Sequence, residues 1–234
     1  MERIFITGAN RGIGLELVRQ YLRRDDTRIF ATARQPETAA ELQALAATNP
    51  ERLTILPLAV TNEAAITEAV QAVAEQVDAL DIVINNAGMN PPGIQTLDAI
   101  TAETMQTVFT VNAVAPLLIA RAFQGLLAKG SNPRLANVST QVGSMTWKKS
   151  GGSYAYAASK AALNMVTRCL SADLHPAGII TIMLHPGWVQ TDMGGPSASL
   201  TPEESASGII SLISGLTEAD NGLFFKWNGE PHPW

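Results

Sequence analysis

Tyr156 and Lys160 lie four residues apart in Tyr156-Ala157-Ala158-Ser159-Lys160, the spacing that stacks two side chains on one helix face. A phenol is a poor acid at neutral pH, with an ordinary pKa of about 10. An ammonium group one turn away favours the phenolate. At roughly 4 Å the attraction is about 1 kcal/mol in water and about 4 kcal/mol at an effective dielectric of 20, or about one to three pKa units. The pair is therefore expected to lower the tyrosine's pKa. Such a group gives a proton to a carbonyl oxygen, or takes one from an alcohol, near physiological pH. The spacing alone fits two solvated side chains equally well.

A second segment adds weight. Thr7-Gly8-Ala9-Asn10-Arg11-Gly12-Ile13-Gly14 follows the apolar run Ile4-Phe5-Ile6. It opens a stretch in which Ile13, Leu17 and Tyr21, and Leu15, Val18 and Leu22, recur with a helical period. Strand, glycine turn and helix in that order are the context of a dinucleotide site. Glycine lets the backbone turn tightly and lets phosphates come close, and the helix start offers free N–H groups and a positive dipole end.

These residues must be positioned by a larger fold. Apolar strand segments are expected at Ile4–Thr7, Arg28–Ala31, Leu53–Leu58, Asp81–Asn85, Leu135–Ser139, Ile179–Leu184 and Leu223–Phe225. Helices are expected between them, at Gly12–Arg24, Thr38–Thr48, Asn62–Val77, Ala102–Lys129, Tyr154–His175 and Pro202–Gly215. The strands are apolar throughout, as in strands covered on both faces. The alternation predicts an α/β fold of the Rossmann type, a doubly wound, parallel seven-stranded sheet with helices on both faces. No composition shift marks a linker, so residues 1–234 are read as one domain. The irregular segments Gly143–Ser153 and Gly187–Leu200 follow strand ends, where ligands bind in such sheets.

Bulk composition narrows the function. The chain has 234 residues, 46% of them hydrophobic, and a net charge of −5. The charge argues against nucleic acid. No continuous apolar run long enough to cross a bilayer is read, and the N-terminus does not resemble a signal peptide. One cysteine, Cys169, excludes an intrachain disulfide and fits a reducing, cytoplasmic setting. It is expected to be a buried, inert thiol. His175, His185 and His232 are scattered without metal-ligand spacing, so no metal is expected.

The glycine loop, Asn85-Asn86-Ala87-Gly88, Asn112, Tyr156-x-x-x-Lys160 and Pro186-Gly187, in this order, resemble the short-chain dehydrogenase/reductase family over essentially the whole length. Segments 153–164 and 185–195 and the ending Pro233-Trp234 are more closely similar to its C-factor and Sniffer-type carbonyl reductase branch. The resemblance implies that Gly8, Asn10, Arg11, Gly12, Ile13 and Gly14 form a pyrophosphate turn. It puts Asn86, Ala87 and Gly88 beside the adenosine ribose, and Pro186, Gly187, Val189 and Thr191 beside the nicotinamide. Asn85-Asn86 also reads as plain turn chemistry. Asn112 would support Lys160 through a water and complete a proton relay; a satisfied core amide is the other reading.

Two positions depart from the family pattern. Where a Ser-Ser pair is usual, this chain has Ser139-Thr140, so Thr140 is expected to be the catalytic hydroxyl, with Ser139 or Ser144 as fallback. Ala59-Val60 replaces an acidic residue that meets the adenine amine, leaving Val60 and backbone groups to do so.

Enzymes using NAD place a carboxylate at the end of the second strand. Here Ala33-Arg34 stands instead, and Arg11 lies in the glycine loop. Two guanidinium groups suit a 2′-phosphate, so the expected cofactor is NADP(H). The expected activity is NADPH-dependent reduction of a ketone or aldehyde, with Tyr156 as proton donor and Lys160, Thr140 and Asn112 assisting. The substrate is expected to meet Thr140, Gln141, Tyr156, Trp188 and Met193, within a wider set that includes Met89, Asn90, Val142, Met145, Trp147 and Tyr154. An NADP(H)-binding signalling or sensor protein with little turnover is the alternative. A monomer, dimer or tetramer is compatible with the sequence.

Overall fold

Seven strands in the computed structural model, which describes residues 1–91 and 96–234, pair in parallel. They are β1 (Glu2–Ile6), β2 (Thr27–Ala33), β3 (Leu53–Pro57), β4 (Ile82–Asn85), β5 (Arg134–Val138), β6 (Ile180–His185) and β7 (Phe224–Lys226). Their order is β3-β2-β1-β4-β5-β6-β7, the doubly wound arrangement, with its switch point between β1 and β4. Each expected strand is present within two residues of its expected ends.

The two-residue period of the strands sorts their side chains into two cores. Ile4 and Ile6 lie opposite Ile29 and Ala31 on one side and Ile82 and Ile84 on the other. They pack under α1 (Gly12–Leu22), α2 (Ala40–Thr48) and α7 (Pro202–Gly215) through Leu17, Val18, Leu42, Ile209 and Ile213. The intervening Phe5, Phe30 and Val83 face α3 (Glu63–Ala74), α5 (Ala115–Leu127) and α6 (Tyr154–Leu174). There Phe5 stacks on Phe123 with ring centroids 4.2 Å apart.

The long helix expected at Ala102–Lys129 is α4 (Ala102–Phe109), a π turn at Thr110–Val114, and α5. Pro116 lacks the N–H that the carbonyl of Asn112 would otherwise receive, and an extra residue in the turn accommodates the loss. Taken together, Ala102–Leu127 is long and apolar enough to cross a membrane by length and composition, and half of its most apolar stretch is buried within the protein. The side chains that α5 buries pack on the sheet, as in a core helix. Cys169 is exposed, not buried. The inward face of α6 carries Leu163, Asn164, Thr167, Leu170, Ser171 and Leu174, and residue 169 falls outside that stripe.

At the end of the sheet opposite the candidate site, Asp81 joins three segments. Its carboxylate receives the Arg3 guanidinium at 2.7 and 2.8 Å, the Arg3 backbone N–H at 2.7 Å and the Ser131 N–H at 2.7 Å. Burial pushes its pKa up, but these donors together hold it below the usual carboxylate range. A lowered folded pKa stabilises the protein above the unfolded value of about 3.9, and that contribution is lost as the pH falls through the folded value. Asp81→Asn should therefore cost about 2 kcal/mol at neutral pH, the scale for hydrogen bonds to a charged group. Urea unfolding should show the gap between variant and parent closing in strong acid; a gap independent of pH would assign the loss to shape instead of charge.

Candidate active site

Backbone groups at the carboxyl ends of β1 and β4 are stitched together by side chains. Thr7 Oγ1 accepts the N–H groups of Asn86 (3.0 Å) and Ala87 (2.9 Å). Asn86 Nδ2 donates to the carbonyls of Thr7 (2.9 Å) and Gly8 (3.0 Å). Asn86 is therefore more than turn chemistry, because it holds the glycine loop in place. Asn85 is not in a turn: it lies in β4 and donates to Asn137 at 2.8 Å. A Cβ at Gly14 would lie 2.3 Å from the Gly8 carbonyl oxygen and 2.5 Å from Asn86 Nδ2, so only glycine lets α1 start this close to the loop.

The start of α1 fits a bound diphosphate. Asn62, Thr101 and Thr201 cap α3, α4 and α7 with their own side chains, but Arg11 makes no such cap on α1 and no acidic residue occupies its first turn. The first N–H groups of α1 are left to an external acceptor. Asn10 and Ile13 flank the exposed turn. Arg34, just past β2, is exposed and makes no ion pair or hydrogen bond with the described residues. Arg11 is paired across the cleft with Asp192 at 2.7 Å, both largely exposed. Val60 is buried in the core beyond β3, where it offers an apolar wall.

Asn112 sits in the π turn and is fully buried. Its Oδ1 accepts from Met89 N at 2.8 Å, and its Nδ2 donates to the Met89 carbonyl (2.8 Å) and Ser159 Oγ (3.0 Å). Ser159 Oγ donates in turn to the Tyr156 carbonyl at 2.8 Å. The amide is thus satisfied within the protein, and it fixes the segment after β4 against the first turn of α6. Lys160 Nζ reaches the Val138 carbonyl at 2.7 Å. Beside them, a Cβ on Gly88 would stand 3.4 Å from Asn112 Oδ1 and 3.5 Å from Lys160 Nζ.

The expected lowering of the Tyr156 pKa is not what the structure has. Burial pushes the phenol up to about 12, opposed by a hydrogen bond with Thr140. Lys160 contributes no opposing pull where the phenol titrates, because burial lowers its own pKa to about 8 and the ammonium is already lost there; its Nζ lies against the Val138 carbonyl. Spacing predicted the Coulomb attraction and missed the desolvation, which acts on both groups.

Three hydroxyls follow β5, and Thr140 is the one whose influence reaches Tyr156, lowering the phenol's pKa against the effect of burial. Ser139 Oγ donates to Asn164 Oδ1 at 2.6 Å, and Ser144 Oγ accepts from Trp147 N at 3.1 Å. Asn164 also donates to the Gly143 carbonyl at 3.3 Å, so it braces both sides of Thr140. Sequence reasoning had assigned it no role. The available signal was a polar series, Lys160, Asn164 and Thr167, on the buried face of α6.

The segment after β6 closes the cleft. Pro186 accepts from Ser205 Oγ at 2.6 Å, Gly187 packs on Leu200 and Trp227, and Val189 is buried and paired with Leu200. The methyl group of Thr191 lies over Gly12. Met193 Sδ accepts from the Tyr156 hydroxyl at 3.7 Å. Met145, Trp147, Tyr154 and Trp188 are exposed, while Gln141 and Val142 are half-buried in the turn after Thr140. His185 and His232, far apart in sequence, lie with ring centroids 6.1 Å apart, and burial lowers the pKa of His185 to about 4.

Similarity to known proteins agrees with this geometry. The chain is 44% identical over 155 residues to the C-signal protein of Myxococcus xanthus, covering 66% of this chain and 93% of that one. It superposes on an NADPH-bound carbonyl reductase from chicken fatty liver with a TM-score of 0.93 and 38% identity, covering 100% of this chain and 99% of that one. For the carbonyl reductase Sniffer of Drosophila melanogaster the TM-score is 0.95 and the identity 36%, with both chains covered completely. The model of the short chain dehydrogenase family matches residues 2–200, which span the glycine turn, the Asn112 brace and the Tyr156 helix, and the chain belongs to that family.

Proposed function

We propose that the protein is an NADPH-dependent carbonyl reductase, working as one unit over residues 1–234, in which Tyr156 and Thr140 bind the oxygen of a ketone or aldehyde. The observation that carries this reading is the buried Lys160, whose ammonium is tied at 2.7 Å to the Val138 carbonyl at the end of β5, which sets the Tyr156 turn of α6 beside Thr140, a hydroxyl just past that strand end. A protein that only sensed the nucleotide would need no phenol and hydroxyl at that strand end, so the arrangement favours the enzyme over a signalling role. The carbonyl reductases it superposes on support the same reading, and the cofactor, when bound, supplies the hydride.

The residues divide the remaining work. Thr140 donates to the oxygen and stabilises its growing negative charge. Tyr156, protonated throughout the neutral range, delivers a proton to that oxygen, a downhill transfer because an alkoxide is a far stronger base than a phenolate. Lys160, with a pKa near 8, is matched to return a proton to Tyr156 at working pH. Asn112 and Asn164 hold the loops that orient these groups. The uncapped start of α1 takes the diphosphate. Arg34 takes the 2′-phosphate at a strand end that carries no carboxylate to repel it. The exposed Met and Trp side chains around the cleft suit an apolar carbonyl compound, and an exposed, unpaired Cys169 suits a reducing cytoplasm.

A panel of aldehydes, quinones, diketones and ketones, followed by loss of NADPH absorbance, tests the activity; turnover on none of them would overturn it. Tyr156→Phe should abolish turnover and leave NADPH affinity near that of the parent, as fluorescence titration will show. Arg34→Glu should weaken NADPH binding by about tenfold or more, the equivalent of ~1.5 kcal/mol from a lost charge-assisted bond, while NADH binding changes little. Reductive turnover should fall as the pH rises past about 8, where Lys160 gives up its proton. In Lys160→Arg, whose guanidinium stays charged, the residual activity should lose that inflection; an unchanged inflection would assign it to another group.

A further inference from the structure

We propose that Met193 is an oxidation site through which hydroperoxides switch the enzyme off. The inference rests on the role proposed for Tyr156. The Met193 sulfur is the acceptor for the Tyr156 hydroxyl, at 3.7 Å, and the residue is 50% exposed. Its place is built by the surrounding turn. Gly194 N–H donates to Thr191 Oγ1 at 3.2 Å, Gly195 N–H to the Thr191 carbonyl at 2.8 Å, and Trp188 Nε1 to the Gly194 carbonyl at 2.8 Å. Arg11 anchors the neighbouring Asp192. A turn tied at four points presents one thioether to the proton donor.

A thioether is a weak acceptor, so a substrate carbonyl displaces it readily. A hydroperoxide changes that balance. The sulfur lone pair attacks the outer peroxide oxygen, an S–O bond forms as the O–O bond breaks, and the peroxide leaves as water or an alcohol after its own proton shifts. Sulfur is oxidised by two electrons and the peroxide is reduced by two. The resulting sulfoxide is polar, with a strongly accepting oxygen, and it stands where the substrate oxygen would bind. Met1, Met145 and Met165 are also exposed and will oxidise, but the sulfur that accepts from the Tyr156 hydroxyl is that of Met193.

The test treats parent and Met193→Leu with hydrogen peroxide and follows oxygen gain peptide by peptide, with turnover measured against each protein's own untreated sample. Parent turnover should fall roughly tenfold or more in step with oxidation of the Met193 peptide, with NADPH affinity retained, and methionine sulfoxide reductase should restore it. Met193→Leu should keep its own activity. Equal losses in both proteins, or full turnover with Met193 oxidised, would overturn the inference. A readout independent of turnover is the carbon-13 NMR shift of the Tyr156 ring carbon that bears the hydroxyl, in a Tyr154→Phe background that leaves Tyr21 as the other tyrosine. Oxidation should move that signal in the parent, as the phenol exchanges a weak acceptor for a strong one, and leave it unmoved in Met193→Leu. If the untreated protein reduced no carbonyl, the proposed function would fail and this signal would still decide the site.

Discussion

Parallel strands stop at one edge of the sheet, and there their backbone groups run out of ladder partners. Buried backbone polar groups must be satisfied, and in this protein amide, hydroxyl and ammonium side chains do much of that work. Thr7 and Asn86 serve the ends of β1 and β4, Lys160 serves the end of β5, Asn112 serves the segment after β4, and Asn164 serves the turn after Thr140. The same bonds that complete the backbone fix the loops that carry the chemistry. Site and scaffold are therefore one network, and a side chain removed from it leaves a buried group unpaired as well as a loop unbraced.

That network sets the electrostatic character of the cleft. Tyr156 and Lys160 are both desolvated, and desolvation moves their pKa values in opposite directions, up for the phenol and down for the ammonium. Each is driven toward its neutral form. A neutral phenol is the form that can donate a proton. Gly143 packs so closely on the Lys160 backbone that an added Cβ would stand 2.9 Å from it, so a larger residue there would push the Thr140 turn away from α6.

Much of this was legible in the sequence. The bounds of α7, Pro202–Gly215, are those expected, because Thr201, Pro202 and Glu204 spell a capped start. The strands were legible from continuously apolar runs alternating with helical patterns, and the position of Thr140 followed from the end of the fifth of them. What escaped depended on three dimensions. The phase of α6 decides that Cys169 faces solvent, and apolar content alone does not reveal it. The π turn arises from Pro116 inside an otherwise helical pattern, which reads equally well as an uninterrupted helix. Desolvation of Tyr156 depends on walls supplied by distant segments. Arg11 and Asp192, 181 residues apart, carry no local sign of their pairing.

That last pair gives the cleft a property of its own. Arg11 belongs to the turn suited to a diphosphate, and Asp192 to the turn that puts a sulfur on Tyr156. An anion that drew on this guanidinium at the glycine loop would compete with the carboxylate for it. By reciprocity, whatever factor the carboxylate subtracted from the anion's affinity, the anion would subtract from the hold on the Asp192 turn. The two halves of the site would then be coupled through a single exposed charge, more weakly as ionic strength rises and screens both contacts.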